Sequence, residues 1–418
     1  MDIVNSKKID VMVVSLCCSD ELYDYVLNSR LQKHVDPAQK FFRNLIYGLK
    51  ENEEIETVNC ISAVPVSKRT HNKRKWDSII SMQDGIVFNS PSFYNGGIST
   101  FTSQIASTKC ILEEWINTTT QNRKLIILDT MVGYLTDTVC NLAHHYSVPV
   151  IGVVTDLPLQ WAKMGKVHGN LLRKTKYFLY SYYSESRLKK LDGYAWLTQE
   201  MNTLKNKKNK PFCIIEGVAD FSYDEKKVDI LLPKKFALYA GGIHKVFRID
   251  RLCEAFIKAN VDATLLLFGD GDAVNDLKIK YQGSEKIKFM GVVSSQEIRY
   301  IEKKAWLLIN PRPTSDEYTK YSFPSKTLEY LCSGTPVLST KLKGIPSDYT
   351  DYLFWFEEEN VESMASKIKA ISLYSDSELI SFGQKSKDFA YQKKNAKIQA
   401  HRLIELFESY FGDYRFPL

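Results

Sequence analysis

The chain has 418 residues, of which 44% are hydrophobic and 25% charged, and its formal net charge is +7. This composition is that of an ordinary globular protein; it excludes a disordered, collagenous or disulfide-stapled chain, and the length favours two domains. The eight cysteines show no CxxC spacing and the seven histidines form no HExxH or HxH set. We therefore expect buried, reduced thiols and no metal site. No signal peptide and no run of about 18 apolar residues is visible, so the sequence predicts a cytoplasmic protein that meets a membrane only at its surface.

The positive charge is concentrated in two segments. Residues 151–210 contain 12 Lys and Arg against 4 Asp and Glu. The sequence KRTHNKRK at 68–75 has five basic residues and no acid. Such segments attract anions, which include nucleic acid, acidic lipid and phosphorylated ligands.

The first half of the chain predicts short buried strands that alternate with amphipathic helices. The predicted strands are Val11–Leu16, Gly85–Phe88, Leu125–Leu128 and Val148–Val154. Apolar residues at helical spacing predict a helix over 135–146 and another that starts at Asp36-Pro37. This alternation favours parallel sheets built from βα units.

A second series of the same kind follows residue 233. Its predicted strands are Phe236–Ala240, Ala263–Phe268, Ile287–Met290, Trp306–Ile309, Pro336–Ser339 and Leu353–Phe356. We therefore predict a first domain over 1–220, a linker over 221–235, a second domain over 236–394, and a C-terminal helix over 395–418 that can cross back to the first domain. In such doubly wound α/β domains, ligands bind beyond the carboxyl ends of the strands.

The segment 310–349 carries the clearest chemistry. A predicted strand delivers Asn310 and Arg312 into a loop. Ser322 or Phe323 is then expected to cap a helix that has a proline in its first turn, where a missing N–H costs nothing.

The N-terminus of this helix predicts an anion site. Ser325, Thr327 and the charge of Lys326 accompany free backbone N–H groups that suit a phosphate. Glu329 lies just over one turn from Ser325, where it can accept hydrogen bonds from sugar hydroxyls attached to that phosphate. Gly334 fits the left-handed position past the helix end.

The sequence of this segment resembles that of a known enzyme family. FPSKTLEYLCSGTPVLST (323–340), followed by KGIPSDY (343–349), resembles the C-terminal signature of retaining GT-B glycosyltransferases of family 4. The subset with NPR, YSFPSK and EYL.SGTPV is similar to bacterial enzymes of capsular, exopolysaccharide or O-antigen synthesis. The resemblance covers most of 236–356. In the first half it rests on the strand order and on VTDLP (154–158) and LTQEMN (197–202).

The resemblance implies a GT-B fold, with two Rossmann-like doubly wound domains facing each other across a cleft. It implies a hexosyltransferase-type enzyme whose UDP- or GDP-linked sugar donor is a substrate, with no further cofactor and no bound metal. The residues then expected at the donor are Glu329, Ser325, Pro324, Thr327, Tyr321, Gly241, Gly242, Arg248, Gly269 and Gly271. The residues expected to act in catalysis are Lys326, Arg312 and Asp156.

Two departures from the family's pattern concern charge. The family often has a second Glu eight residues before the first, and that position is Tyr321 here. The Arg of the family's GRL motif is Gly242, and the usual Lys-Gly a few residues later is Phe247-Arg248. The usual basic clamp on the phosphates is therefore incomplete. We expect Arg312 and Lys326, together with the arginine at 248, to supply the charge instead.

The acceptor side is defined less sharply by sequence. Asp129 and Asp156 each follow a strand, where an acceptor-binding or catalytic group would lie, although either could instead cap the next turn. Residues 161–191 interleave aromatic, aliphatic and basic side chains, which is typical of a segment on an anionic bilayer. The alternative is an amphipathic helix that packs on its own domain.

We interpret the chain as a membrane-peripheral glycosyltransferase on the inner face of the cell membrane. Its acceptor would be an oligosaccharide, expected to be lipid-linked, in bacterial surface polysaccharide synthesis. Three alternatives stay open at this point: a nucleotide-sugar 2-epimerase, a catalytically inactive GT-B partner subunit, and a nucleic-acid-binding protein. The last is disfavoured because no RNA- or DNA-binding module accompanies the basic segments, and we expect no nucleic acid partner.

Overall fold

The computed structural model describes residues 7–30, 37–163, 169–221, 226–228 and 230–411. The described residues form two compact units, one from 1–218 with 396–418 and the other from 219–395. Each unit contains an open, mainly parallel sheet. The α/β class predicted from the alternation of strands and helices is therefore confirmed.

The first unit contains the longer sheet. Its order is β10-β9-β8-β7-β1-β2-β5-β4, and only the edge strand β4 runs antiparallel to its neighbour. Its elements are β1 (Ile9–Ser15), α1 (Asp20–Asn28), α2 (Pro37–Lys50), β2 (Ile55–Ser62), β3 (Lys75–Trp76), β4 (Ile79–Gln83), β5 (Ile86–Ser90), β6 (Phe93–Tyr94), α3 (Ile98–Asn117), β7 (Arg123–Asp129), α4 (Thr136–His145), β8 (Val150–Val154), α5 (Pro158–Lys163), α6 (Leu171–Arg187), β9 (Gly193–Trp196), α7 (Gln199–Lys205) and β10 (Phe212–Ile214).

The second unit has a six-stranded parallel sheet of order β13-β12-β11-β14-β15-β16. Its elements are β11 (Phe236–Ala240), α8 (Ile249–Ala259), β12 (Thr264–Phe268), α9 (Val274–Lys280), β13 (Ile287–Gly291), α10 (Ser295–Glu302), β14 (Leu307–Asn310), α11 (Ser325–Ser333), β15 (Val337–Ser339), β16 (Phe354–Trp355), α12 (Val361–Ile371) and α13 (Asp376–Lys393). The last helix, α14 (Ala396–Phe411), belongs to the first unit.

Both faces of the second sheet are covered. Ala237 and Tyr239 of β11 enter one hydrophobic cluster, whereas Leu238 and Ala240 enter the other. Because neighbouring residues of a strand point to opposite faces, a strand buried on both sides reads as a continuous apolar run. This is why β11, β12, β14 and β15 could be predicted from the sequence.

Several elements of the first unit are absent from the predicted set. The strands missing from that set are β2, β3, β4, β6, β9 and β10, and with β4 its antiparallel pairing with β5. The predicted start of α2 at Asp36, and parts of the predicted linker and of both termini, lie outside the described residues. Within the described ranges, no helix is long and apolar enough to cross a membrane.

Candidate functional site

A cavity of about 230 Å³ lies at the carboxyl ends of β11 and β14 in the second unit. The chain proceeds from β11 outward through β12 and β13, then returns to the other side of β11 with β14. The cavity therefore lies at the point where strand order reverses, where doubly wound sheets bind ligands. The residues around it include Tyr239, Gly241, Gly242, Phe247, Asn310, Arg312, Pro324, Ser325, Lys326 and Tyr330.

Two glycine turns, one of which lines this cavity, pack closely against each other. A Cβ atom on Gly269, whose φ is +136°, would lie 1.8 Å from the carbonyl oxygen of Gly241. A Cβ on Gly271 would lie 2.3 Å from the carbonyl oxygen of Ile243. The glycines of FGDGD therefore let the loops after β11 and β12 pack backbone to backbone. They do not line the cavity, and their contacts support the turn that does.

The helix α11 presents its N-terminus to the cavity. The helix begins at Ser325, and Pro324 occupies the cap position without a side-chain cap hydrogen bond. The prediction that Ser322 or Phe323 caps the helix was wrong: the Ser322 hydroxyl donates to the carbonyl of Tyr318 instead, at 3.3 Å. Without a capping side chain, the first N–H groups of α11 face the cavity, which suits an anion.

Two buried contacts that the sequence did not predict hold α11 in place. The hydroxyl of Tyr330 accepts a hydrogen bond from the N–H of Ala240 at 2.8 Å and lies 3.3 Å from the carbonyl of the same residue. Burial raises the pKa of Tyr330 well above its usual value, so the hydroxyl stays neutral. The amide of Asn310 donates to the hydroxyl of Thr327 at 3.2 Å. The side chain of Thr327 is fully buried, and Thr327 is not among the residues that line the cavity.

Lys326 and Glu329 form an ion pair in which Nζ lies 2.6 Å from Oε2. Burial lowers the pKa of Lys326, but the charges of Glu329 and Glu302 and the hydrogen bond to Glu329 outweigh burial, so the pKa is raised. Lys326 is therefore a fixed cation at the cavity. Glu329 lies one turn further along α11 and lines a neighbouring cavity of about 120 Å³ with Glu302 and Arg299.

Arg312 is the second cation at the cavity. Its guanidinium carbon lies 5.2 Å from the centre of the Phe247 ring, and its carbonyl accepts a hydrogen bond from the Thr340 hydroxyl at 2.5 Å. In the described part of the chain its guanidinium has no carboxylate partner. Phe247, at the position of the family's lysine, thus supports a cation that comes from the loop after β14. The aromatic residue in place of that lysine was the one feature of the sequence that indicated the contact between Arg312 and the Phe247 ring.

Arg248 and Tyr321 lie outside the set of residues that line the cavity. Arg248 caps α8 with φ +52° and ψ 42°, in the left-handed region that favours glycine. In the family this position is the glycine of Lys-Gly. Arg248 therefore keeps the backbone conformation expected of that glycine, although its side chain differs. Tyr321 ends a short 3-10 helix, Glu317–Tyr321, that precedes α11.

The first unit contains the third predicted catalytic residue. Asp156 follows β8 and accepts hydrogen bonds from the N–H of Leu157 at 2.7 Å and from the indole N–H of Trp161 at 2.5 Å. Burial raises the pKa of Asp156, and these hydrogen bonds only partly counter the effect of burial. Asp129, by contrast, caps the turn after β7 by accepting from the N–H of Met131 at 2.9 Å.

The helix α6 occupies most of the predicted membrane segment 161–191, of which 164–168 lie outside the described residues. Its large apolar side chains are exposed: Leu171 is 81% exposed and Leu179 59%. The buried positions of this helix are Ser181 and Ser184. An ordinary amphipathic helix would bury its leucines and expose its serines.

A larger cavity of about 820 Å³ lies at the opposite edge of the second sheet. Lys235, Thr264, Lys286, Trp306 and Pro336, which precede or begin five of its strands, line this cavity. We favour the smaller cavity because it has the switch-point position, the helix N-terminus and the two placed cations. Among the described residues, no group of three or more His, Cys, Asp and Glu is arranged to hold a metal ion.

Residues 234–373 match the family model described as "Glycosyl transferases group 1". The chain is also 24% identical over 206 residues to the N-acetyl-alpha-D-glucosaminyl L-malate synthase of Bacillus anthracis. That match spans 46% of this chain and 49% of the relative, so it covers about half of each.

Solved structures show the fold of the whole chain. The sucrose-phosphate synthase of Thermosynechococcus elongatus superposes with a TM-score of 0.65 at 13% identity, covering 97% of this chain and 100% of that one. The Anabaena protein HepE in complex with UDP gives a TM-score of 0.56 at 12% identity, covering 96% and 100%. The fold is therefore GT-B. Within that fold, the match to the glycosyltransferase family model covers residues 234–373.

Proposed function

We propose that this chain, whose second unit carries a group 1 glycosyltransferase domain, transfers a sugar from a UDP- or GDP-linked donor to a saccharide acceptor with retention of configuration. The observation that carries the proposal is the cavity at the switch point of the second sheet. There an uncapped helix N-terminus, Lys326 and Arg312 converge on one small space. This combination suits a diphosphate better than a neutral ligand.

In this proposal the donor's diphosphate binds at the N-terminus of α11. The N–H groups at Ser325 and the cations Lys326 and Arg312 stabilise the charge that develops on the diphosphate as the anomeric C–O bond breaks. In many enzymes, polar groups that are already in position around a developing charge make the largest single contribution to the rate enhancement. The acceptor hydroxyl attacks from the same face, and its proton passes to the departing phosphate oxygen. No enzyme carboxylate has to form a covalent intermediate.

Glu329 is proposed to bind the ribose of the donor. Its ion pair with Lys326 links the two parts of the nucleotide, because one residue of the pair serves the phosphate and the other the sugar. The pair also limits the cost of holding a carboxylate close to a diphosphate, since Lys326 offsets its charge. Pro324, Gly241 and Gly242 line the cavity and are proposed to contact the donor.

The first unit is proposed to bind the acceptor, with Asp156 as an acceptor-side group. Its raised pKa, caused by burial, is typical of residues in functional sites. The exposed leucines of α6 and its cations Arg173, Lys174 and Lys176 support a contact with an anionic bilayer. We therefore propose a lipid-linked acceptor and a place on the inner face of the cell membrane, in bacterial surface polysaccharide synthesis.

A panel of UDP, GDP and their sugars in a thermal-unfolding experiment tests the donor site. A ligand at 100 times its dissociation constant stabilises the folded state by about 2.7 kcal/mol. We expect one nucleotide family to raise the Tm of the wild type, and Arg312→Gln to reduce that shift. Lys278→Gln, which removes an exposed lysine of the same unit, is the matched control.

Three results would contradict the proposal. The first is that none of the nucleotides changes the Tm, and the second is that Arg312→Gln leaves the shift intact. The third is conversion of the nucleotide sugar into another nucleotide sugar without an acceptor, which identifies an epimerase. Donor binding without turnover in the presence of membranes that supply acceptors identifies an inactive partner subunit, a reading that Tyr321 at the family's acid position favours.

A further inference from the structure

The basic segment 68–75 has no part in the proposed donor site. Its five cations are all exposed. Lys75 pairs with Asp77 at 2.9 Å, and Lys73 lies over the rings of Tyr25 and Trp76. The other three, Lys68, Arg69 and Arg74, have no carboxylate partner among the described residues.

Buried polar contacts hold this segment in a defined conformation. His71 is 2% exposed, and its Nε2 lies 2.9 Å from the carbonyl of Val26. The amide of Asn95, itself 4% exposed, donates to the carbonyls of His71 and Lys73 at 3.0 and 3.2 Å. A run of charges that serves only for solubility needs no such anchors. The anchors instead fix where the three unpaired cations are displayed.

The segment is continuous with the start of α3. The N–H of Asn95 donates to the carbonyl of Arg74 at 2.7 Å, and the side chain of Lys68 lies beside Gly96. The helix α3 begins two residues later, and its first turn exposes large apolar side chains. Ile98 is 81% exposed and Phe101 43%.

The first turns of α3 in turn adjoin α6. The ring of Phe101 packs edge-on against Tyr134, with 5.0 Å between ring centres. Tyr134 lies in the short 3-10 helix Thr130–Leu135, which also contacts α6. At Gly133 a Cβ would lie 2.6 Å from the hydroxyl oxygen of Ser184, so α6 packs closely on this turn.

We propose that segment 68–75, the first turn of α3 and α6 form one surface that docks on anionic lipid headgroups. The unpaired cations bind the phosphates of the headgroups, and the exposed aliphatic side chains enter the boundary between headgroups and acyl chains. The aliphatic residues argue for lipid over nucleic acid, since Ile98 and Leu171 would gain nothing from a polyanion in water. The proposal rests on the membrane contact proposed for α6 and extends it to a segment about 100 residues away in sequence.

Vesicle flotation tests this extended surface with the full-length chain. The vesicles are phosphatidylcholine alone and phosphatidylcholine mixed with phosphatidylglycerol. The loop variant carries Lys68→Gln, Arg69→Gln and Arg74→Gln. Each cation near an anionic surface contributes about fivefold to binding, so we expect a loss on the order of a hundredfold on the mixed vesicles.

Two further variants make the result specific. A control that replaces the exposed lysines 234, 278 and 288 of the second unit by Gln removes equal charge and should float like the wild type. A variant with Ile98→Ser and Phe101→Ser should also bind more weakly, although its charge is unchanged. All substituted side chains are exposed, and matching Tm values confirm that the variants are folded.

Unchanged flotation of the loop variant overturns the extended surface, even if replacing Arg173, Lys174 and Lys176 of α6 detaches the protein. Equal loss in the control also overturns it, because the effect is then one of net charge. The proposal is also overturned if replacing Lys68, Arg69 and Arg74 abolishes binding of an oligonucleotide but leaves binding to vesicles unchanged. Failure of the donor proposal shows separately, as absence of a nucleotide-induced Tm shift.

Discussion

The two anion-binding regions proposed for this protein are built differently. In the cavity of the second unit, Lys326 is fixed by an ion pair and Arg312 by the ring of Phe247, beside a helix end and two interlocked glycine turns. On the surface of the first unit, exposed cations such as Arg69 have no carboxylate partner among the described residues, and the anchoring contacts there are made by the backbone that displays them. A site that depends on the position of each group should fail when one is removed. A surface that depends on the sum of its charges should fail only when several are.

The largest expected effect of a single change is on stability, at Gly269. Replacing it by Ala places a Cβ 1.8 Å from the carbonyl oxygen of Gly241, at a φ of +136° that only glycine adopts readily. We expect Gly269→Ala to lower the free energy of unfolding by about 3 kcal/mol or more. Urea unfolding measures the change. Gly283→Ala is the control, since φ there is +77° with open space around the new Cβ, and it should cost only about 1 kcal/mol. Equal costs at the two positions would show that the glycine turns are not closely packed.

Removing one cation from the cavity tests the positional half of the comparison. Lys326→Ala should lower turnover by about 10²-fold, by analogy with the loss of one group that stabilises a developing charge. The measurement is the rate of sugar transfer from the nucleotide sugar that the thermal-unfolding panel identifies. Lys278→Ala removes an exposed lysine of the same unit that has no ion pair among the described residues, and this variant should retain activity. Near-normal turnover in a folded Lys326→Ala variant would remove Lys326 from the mechanism.

A smaller effect is expected at Arg248, where the backbone is strained. Arg248→Gly should raise the free energy of unfolding by about 1 kcal/mol, because glycine adopts φ +52° without the clash of a Cβ. Asn260→Gly at the other end of α8, where φ is +47°, is the matched variant. Asn tolerates this region better than Arg, so its gain should be smaller. If Arg248→Gly is more stable but binds nucleotide more weakly, Arg248 belongs to the donor site. If the variant is less stable, the backbone at Arg248 is not strained.

The smallest effect is expected from a single cation on the surface of the first unit. Arg69→Gln alone should weaken binding to phosphatidylglycerol-containing vesicles about fivefold or less, while Lys326→Ala should leave flotation unchanged. Titrating each variant with vesicles at a fixed salt concentration measures the dissociation constants that are compared. A loss from Arg69→Gln as large as that from the triple variant would show that this surface also depends on one placed residue.

The sequence predicted the second unit more completely than the first, for a physical reason. Strands buried on both faces read as unbroken apolar runs, as in β12, and a helix between a proline and a glycine has visible ends, as in α11. The edge strand β4 exposes Ile80 and Met82, so its pattern does not indicate a buried strand. The strand β10 is as short as β15, but none of its three residues is buried, so no buried apolar run indicates it.

For the candidate site, residue types were predictable but partners were not. The glycines of FGDGD were expected near the donor, whereas their contact with Gly241 depends on how two loops fold together. The hydroxyl of Thr327 was expected to face a ligand, but it is buried and accepts a hydrogen bond from Asn310 at the end of the preceding strand, β14. The sequence of α6 is amphipathic in composition, but only the structure shows that its leucines are exposed and its serines buried.

The central claim is that a nucleotide binds at the switch point of the second sheet. Amide hydrogen exchange with and without UDP or GDP tests it most directly, because it locates the ligand without any substitution. We predict slower exchange in peptides that contain Gly241–Gly242 and the start of α11 at Ser325–Lys326. Protection confined to the opposite edge of the sheet, at Lys235 and Trp306, or no protection by either nucleotide, would contradict it.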